Sequence, residues 1–149
     1  MSTFWKTKRK KGAKSKLAAR CHYYWSLIVR AKQPMCQRCK VRPTKNAHHV
    51  ITRGHGPKPW WYQIEYGCGL CIDCHSNWAH STDVDRQISF RDDFLIPWIE
   101  SRGLNYESMK MIARSPGSMK EYQLQAIKEQ LQRDWKGSEY AKQRKANSV

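Results

Sequence analysis

The first clear periodicity along the chain is helical. Apolar side chains recur three or four residues apart between Leu17 and Ile28, which predicts a helix over about residues 15–32. Pro34 ends this helix, because proline has no amide hydrogen to donate and its ring clashes with the preceding turn.

The C-terminal third is also helical by its pattern. Helices are expected at residues 90–101 and 106–114, and the clearest one follows them. Ser118 and Glu121 have the spacing of a capping box. The apolar stripe behind this box indicates packing against the core or a partner helix, and its members are Leu124, Ile127, Leu131 and Trp135. From Lys136 onward the chain is polar, and we expect a frayed tail.

The middle of the chain has a shorter, extended pattern. Several β-branched residues lie between positions 36 and 53 on both sides of the polar stretch 42–46, which predicts a β-hairpin. The stretch 54–61, GHGPKPWW, is expected to be a loop because it holds two glycines and two prolines. A short helix is then expected to begin near Cys71 and to carry His75.

The charge is segregated along the chain. Of the 28 lysines and arginines, 16 lie in the first 64 residues, and no acidic residue precedes Glu65. The other 12 basic residues are balanced by all 12 acidic ones. This distribution indicates a half that faces a polyanion, and nucleic acid is the commonest polyanion. Residues 1–16 are interpreted as a mobile basic arm, in which Lys8, Arg9, Lys10 and Lys11 are the candidate DNA contacts.

Composition argues against a membrane protein. No stretch approaches the roughly 20 apolar residues of a membrane span, and the N-terminus has no apolar signal core. We expect a cytoplasmic protein that does not bind membranes. Six cysteines in such a chain favour metal binding over disulfides, because cytosolic thiols stay reduced.

Two Cys-x-x-Cys pairs predict a structural zinc site. Cys36 and Cys39 form one pair, Cys71 and Cys74 form the other, and 31 residues separate them. Four thiolates in two such pairs suit tetrahedral zinc. Cys21 is interpreted as a buried helix residue, whereas Cys68 lies close enough to Cys71 to compete as a ligand.

The long loop that this zinc closes contains a doubled histidine. On a strand His48 and His49 point to opposite faces, so the two imidazoles cannot serve one ion in the same way. A division of labour is expected, in which one imidazole binds a catalytic metal and the other accepts a proton near neutral pH. His75, just after the second cysteine pair, lies on a helix that should face this strand.

At this point the chain resembles the HNH, or ββα-metal, nuclease superfamily. The residues that carry the resemblance are CQRC, AHHV and GLCIDCH, within about residues 36–80. Among its members the chain is most similar to the NinG/Rap-type phage recombination proteins. The resemblance implies an α+β fold: a small zinc-stabilised ββα-metal core with flanking helices and a basic N-terminal arm. The implied domains are the arm 1–16, a nuclease domain 17–114, and a C-terminal helix with a polar tail, 115–149.

The resemblance also implies roles for the histidines. His48 would be the first ligand of a catalytic metal, His75 the second, and His49 the general base. Tyr66 stands where the family usually has the asparagine that orients the strand of the base. This departure keeps open a second reading, a zinc-stabilised nucleic-acid-binding recombination accessory protein with an inactive site.

Other residues near this motif have two readings each. His80 could be a further metal ligand or an exposed capping histidine, since a step of five residues from His75 suits an α-helix poorly. Arg53 and Lys58 are candidate phosphate clamps on a loop that could also be merely solvated, and His55 is expected to be a loop histidine without metal. The aromatic run 60–62 either packs beneath the loop or stacks on an unpaired base.

The resemblance implies a metal-dependent endonuclease that cleaves DNA phosphodiester bonds, in phage DNA recombination or processing in a bacterial or phage-infected cell, and the segregated basic charge agrees with a DNA partner. Zn²⁺ would be structural, and Mg²⁺ or Mn²⁺ would serve catalysis. Imidazole ligands make the site softer than a usual Mg²⁺ site, so Ni²⁺ or Zn²⁺ are further candidates. The expected partner is DNA, branched or partly single-stranded, with a protein partner for the C-terminal helix.

Overall fold

A computed structural model describes residues 12–147. Over that range the chain is α+β, with a two-stranded antiparallel sheet and six α-helices. The strands are β1, Asn46–His49, and β2, Gly67–Leu70. The helices are α1 Ala13–Lys32, α2 Val84–Ser89, α3 Ile96–Ser101, α4 Tyr106–Ala113, α5 Glu121–Lys136 and α6 Glu139–Asn147. Two π-helical segments, Cys74–Ala79 and Phe90–Leu95, and two 3₁₀ turns, Pro59–Tyr62 and Ile64–Tyr66, complete the order.

The predicted first helix is confirmed, and it begins two residues earlier than expected. Its first turn includes positions assigned to the basic arm, and the Lys14 ammonium donates to the Ser118 hydroxyl at 2.9 Å. The rest of the arm, including Lys8, Arg9, Lys10 and Lys11, lies outside the described residues.

Helix α1 packs against both the sheet and α5 because a broad part of its surface is apolar. Trp25 and Val29, which are fully buried, face the sheet. The adjacent stripe of the helix packs on α5, where the Cys21 thiol donates to the Leu124 carbonyl at 3.3 Å. The site described below is therefore built next to the face through which α1 is anchored to α5.

The predicted hairpin over residues 36–53 is wrong. Strand β1 pairs instead with β2, in a register that sets His48 opposite Cys68 and His49 opposite Gly67. The segment before β1 folds into the turn of the first cysteine pair, where the Cys36 amide donates to the Arg42 carbonyl at 2.9 Å. The backbone amides and carbonyls of this turn bond to each other, so they cannot form the hydrogen bonds of the predicted hairpin.

Strand β2 has glycine at position 67 because α1 lies directly against it there. A Cβ atom added at Gly67 would lie 2.5 Å from a Val29 methyl carbon, which is far inside van der Waals contact. A side chain here would push the sheet away from α1 and displace both strands.

The outer edge of β2 is covered mainly by the Gln33 side chain. The Gln33 amide nitrogen donates to the Gly67 carbonyl at 3.1 Å, and its oxygen accepts from the Gly69 amide. Gln33 thus supplies the donor and the acceptor that a third strand would have offered.

The helix expected at residues 90–101 is confirmed, but it is part of a longer helical run that begins at Val84. The Asp83 carboxylate caps this run by accepting from the Asp85 amide at 2.9 Å. Helix α4 matches its predicted range to within one residue.

The last predicted helix exists as α5, but its expected capping box is wrong. The N-cap is Lys120, whose amide donates to the Gln123 side chain at 2.8 Å. The predicted packing stripe is confirmed, since Leu124 and Leu131 are buried. The expected frayed tail is also wrong, because the described residues after Lys136 form α6.

Within residues 12–147, no helix combines the length and the apolar character that crossing a bilayer requires.

Candidate metal centres and the cleft between them

The two cysteine pairs come together as predicted. The four sulfur atoms of Cys36, Cys39, Cys71 and Cys74, which we call the cysteine cluster, all lie within 4.8 Å of one another. The first pair is held to the sheet because the Gln37 amide donates to the Gly69 carbonyl at 2.9 Å. Four thiol groups at this spacing could hold a structural zinc ion, and this donor set fits zinc.

Local backbone geometry favours the ionised form of a thiol in the cysteine cluster. Lys40 adopts a left-handed φ of 60° directly after the first pair, which turns the chain back over the sulfurs. The amides of Val41 and Arg42 then donate to Cys39 and lower the pKa of its thiol to about 6. A thiol that ionises near neutral pH is a better metal ligand.

Arginines offset the negative charge that four thiolates would carry. A guanidinium nitrogen of Arg38 lies 3.5 Å from the Cys74 sulfur. Arg42 lies beside Cys71 and pairs with Asp73 at 3.3 Å. The same Arg38 stacks on the Trp78 ring at 3.7 Å, which holds the guanidinium in place beside the cluster.

The two remaining cysteines lie outside the cysteine cluster. Cys21 is buried between α1 and α5, as expected, and burial raises the pKa of its thiol to about 11. Cys68 is fully buried, and burial together with the nearby Cys36 sulfur raises its pKa. Both thiols therefore stay protonated at neutral pH.

The doubled histidine is divided between the two faces of β1. His48 faces the helical run that follows β2, where its ring contacts His75, His80 and Phe90 at centroid distances of 5.6, 5.1 and 5.6 Å. His49 faces α1, where its ring stacks on Trp25 at 4.0 Å. Strand alternation places the two neighbouring imidazoles in separate environments.

A π-helical turn brings His75 and His80 together. The amide of His80 donates to the carbonyl of His75 at 3.0 Å, which is a step of five residues, and the two rings are 4.6 Å apart. Residues five positions apart, such as His75 and His80, are poorly aligned in an α-helix. In a π-helix the hydrogen bonds join residues five positions apart, so this spacing brings the two side chains together. His48, His75 and His80, the histidine cluster, have donor nitrogens within 4.8 Å of one another.

Burial favours the uncharged form of two members of the histidine cluster, His48 and His75. The pKa of His48 is lowered to about 3, mainly by burial and then by the neighbouring His80 and His75. Burial also lowers the pKa of His75. Neutral imidazole is the form that ligates a metal, so these three side chains fit a divalent cation of borderline softness.

His49 is fixed in one tautomer by the loop. Its Nε2 atom lies 2.8 Å from the Trp61 carbonyl oxygen, which can only accept, so Nε2 carries the hydrogen. The lone pair is then on Nδ1. Burial lowers the pKa of His49 to about 4, and Arg53 and His22 lower it further against the effect of the carbonyl. His49 is therefore a neutral acceptor at physiological pH.

The histidine cluster and His49 open into one cleft of about 710 Å³. None of the residues that line it is acidic, and Lys45 and Arg53 add positive charge at its rim. Such a cleft attracts anions and focuses their approach.

The sequence did not identify three residues that line this cleft: His22, Ser26 and Lys45. His22 and Ser26 are one turn apart on α1, and the His22 ring stacks on His49 at 5.7 Å. His22 has no functional role in the sequence interpretation, but its place in the cleft puts it next to the candidate base. One feature of the sequence could have identified His22 and Ser26: they are polar residues four positions apart on a helix whose neighbouring positions are mostly buried.

The other predicted site residues lie around this cleft or away from it. Arg53 lines the cleft and stacks over the Trp61 ring at 5.2 Å. Lys58 donates to the Ser115 carbonyl at 2.7 Å and to that of Ala113 at 3.4 Å, so it ties the loop to the end of α4. His55 is exposed on the loop and is not part of the histidine cluster, as expected.

The aromatic run packs beneath the loop. Trp60, Trp61 and Tyr62 are each at most 9% exposed, which leaves little ring surface for an unpaired base. Trp60 rests on Tyr66 at 5.2 Å, and the Tyr66 carbonyl accepts from the Val50 amide at 3.0 Å. Tyr66 thus supports the strand of His49 through its backbone and ring.

Comparison with protein-family models, curated proteins and solved structures finds no match to this chain. The resemblance to HNH nucleases therefore stays a prediction, and the function is argued from the site.

Proposed function

We propose that this protein is a metal-dependent endonuclease that hydrolyses DNA phosphodiester bonds. The observation that carries the proposal is the pairing of two different imidazole sites on adjacent residues of β1. The histidine cluster offers three nitrogen donors to one cation. On the opposite face, His49 keeps a free lone pair because the Trp61 carbonyl holds its other nitrogen.

The histidine cluster would hold the divalent cation. Bound there, a divalent cation supplies Lewis-acid stabilisation of the negative charge that grows on a phosphate during hydrolysis. Three imidazole ligands favour Mn²⁺, Ni²⁺ or Zn²⁺ over Mg²⁺ in affinity, and affinity need not follow turnover.

His49 would act as the general base. Its Nδ1 lone pair accepts a proton from water, and the Trp61 carbonyl stabilises the imidazolium that results. A phosphate in the cleft would bring negative charge near His49 and raise its pKa from about 4 toward neutrality. Substrate binding would thus strengthen the base when it is needed.

The basic residues would hold the DNA backbone. Lys45 and Arg53 line the cleft with no carboxylate among the lining residues to compete for them. Such contacts fix the position of the strand without reading its sequence. Lys58 would contribute only if it left the carbonyls of Ala113 and Ser115.

The test is nicking of supercoiled plasmid by the purified protein with Mg²⁺ or Mn²⁺. His49→Ala should lower the cleavage rate by on the order of a hundredfold or more while DNA binding changes little, because a general base acts on the reaction and not on the ground state. His80→Ala should instead raise the metal concentration needed for cleavage, as should His48→Ala and His75→Ala.

His55→Ala is the matched control, because His55 is exposed on the same loop system and lies outside the histidine cluster. It should cut at the wild-type rate. Cleavage by His49→Ala at that rate would refute the assigned role. DNA binding without nicking under any metal would favour the accessory-protein alternative, for which the tyrosine at position 66 argues.

A further inference from the structure

A second cavity, of about 550 Å³, adjoins the cleft on the other side of the histidine cluster. Four residues line both spaces: His48, His49, Thr52 and His80. A group that occupied the second cavity would therefore be a direct neighbour of a phosphate held at the histidine cluster.

The walls of this second cavity combine apolar and aromatic side chains with polar ones. Phe90 and Leu95 are buried within it, and Tyr106 lines one side. Val84 and Ile88 line it as well, although 64% and 43% of their surface is exposed. These two residues lie one turn apart on α2 and leave apolar surface at the cavity wall that a ligand could cover.

Charge separates the two spaces. The cleft has Lys45 and Arg53, whereas the second cavity has one charged lining residue besides the histidines, Arg91, whose guanidinium bonds to Asp92 at 2.7 Å. A phosphate is thus favoured on the cleft side. The second cavity suits a flat, weakly polar group.

We propose that the second cavity binds an unpaired nucleobase of the strand whose phosphate lies at the histidine cluster. This inference rests on the proposed function and names its substrate class: DNA that is single-stranded or locally unpaired beside the scissile bond. A base is covalently next to its own phosphate, as the second cavity is next to the cleft. In an intact duplex the base would have to leave its stack and its pair, which costs a few kcal/mol.

Two oligomers with the same number of phosphates test the pocket without requiring cleavage. One is a thymidine oligomer of about 12 nucleotides, a length within the range one binding groove covers, and the other is its fully abasic analogue. Fluorescence anisotropy would measure the affinity of the full-length protein for each without added divalent cation. We expect the thymidine oligomer to bind at least about tenfold more tightly, since stacking contributes about 1–3 kcal/mol per base.

Ile88→Gln tests whether the difference in affinity between the two oligomers comes from the second cavity. It keeps the charge and replaces an exposed apolar wall residue, and Ile112→Gln on α4 makes the same change at a position that is 54% exposed and does not line the cavity. Ile88→Gln should lower the preference for thymidine over the abasic strand to threefold or less, and leave abasic and duplex binding unchanged. Ile112→Gln should keep the wild-type preference.

Equal affinity of the wild-type protein for the two oligomers would refute base binding in the second cavity. An equal loss of thymidine, abasic and duplex binding in Ile88→Gln would refute it as well. A cavity that receives a protein segment would give the first of these results. A base preference that Ile88→Gln removes, in a protein that nicks no plasmid, would leave the pocket standing and refute the endonuclease.

Discussion

At the scale of residues, His48 and His49 show how adjacent identical side chains acquire different chemistry. Because side chains alternate along a strand, His48 lies in the histidine cluster and His49 lies against Trp25 and the loop. Both are held neutral by burial, with pKa values of about 3 and about 4 against 6.5 for a free histidine. The sequence predicted the two faces, because alternation is a property of any strand. It could not predict the Trp61 carbonyl that fixes His49, since that contact depends on the path of the loop.

These lowered pKa values predict that acid destabilises the fold. Between pH 6.5 and about pH 4 the unfolded chain binds protons that folded His49 does not, so stability is full above pH 6.5 and falls as the pH drops through this window. In His49→Gln, the melting temperature measured by circular dichroism from pH 7.5 to 4.5 should depend on pH less steeply, by the uptake of about one proton.

The same substitution at His55 is the control for this pH dependence. His55 is exposed, so His55→Gln should keep the wild-type slope. Parallel curves for His49→Gln and the wild type would mean that His49 does not resist protonation in the folded protein.

At the scale of elements, the long amphipathic helices were predictable, whereas the partner of strand β1 and helix α6 were not. The apolar residues of α1 and α5 recur at helical spacing because the two helices are buried against each other. Any amphipathic helix shows this pattern. Strand β2 has the sequence GCGL, with no β-branched residue to mark it, because Gly67 must let α1 approach. The π-helical step from His75 to His80 left no mark in the sequence either, since hydrogen-bond register is not visible in side-chain spacing.

The elements of the site depend on the cysteine cluster, which joins the turn before β1 to the turn after β2. We expect one tightly bound zinc per chain by elemental analysis after dialysis against a mild chelator. Cys39→Ser should lose this zinc and melt on the order of 10 °C lower, because metal binding is coupled to folding.

Cys39→His is the matched variant, since three cysteines and one histidine also form a tetrahedral zinc site. It should retain the metal and most of the stability. A folded wild-type protein that contains no zinc would show that the four thiols do not need the ion.

At the scale of the whole molecule, the excess of positive charge and the basic rim of the cleft belong to the same part of the chain, whereas the metal-binding clusters draw residues from both parts. Every basic residue of the cleft rim lies before the first acidic residue, Glu65. The acidic residues are all in the later part, which contributes the supporting helices. The apolar stripe of α5 packs inside the chain, so a protein partner for this helix would have to use its other faces, and that partner stays a prediction.

The basic N-terminal segment should add to DNA affinity without adding specificity. Residues 2–11 hold five basic side chains and no acidic one, and these are Lys6, Lys8, Arg9, Lys10 and Lys11. Replacing all five by glutamine should weaken binding to every duplex alike. The slope of log affinity against log salt should become shallower by up to about 4.5, at about 0.9 for each phosphate that a side chain no longer neutralises. Equal slopes for the two proteins would show that this segment does not touch the phosphates.

The side chain that covers the edge of β2 has a consequence for the behaviour of the protein in a crowded solution. A two-stranded sheet has open edges that can template pairing with another chain and lead to aggregation. Gln33 occupies the Gly67 carbonyl and the Gly69 amide, so a foreign strand would have to displace it before it could pair there. Together with the Gln37 amide, which occupies the Gly69 carbonyl, this glutamine therefore protects the edge against aggregation, a function that many proteins give to a whole extra strand or helix.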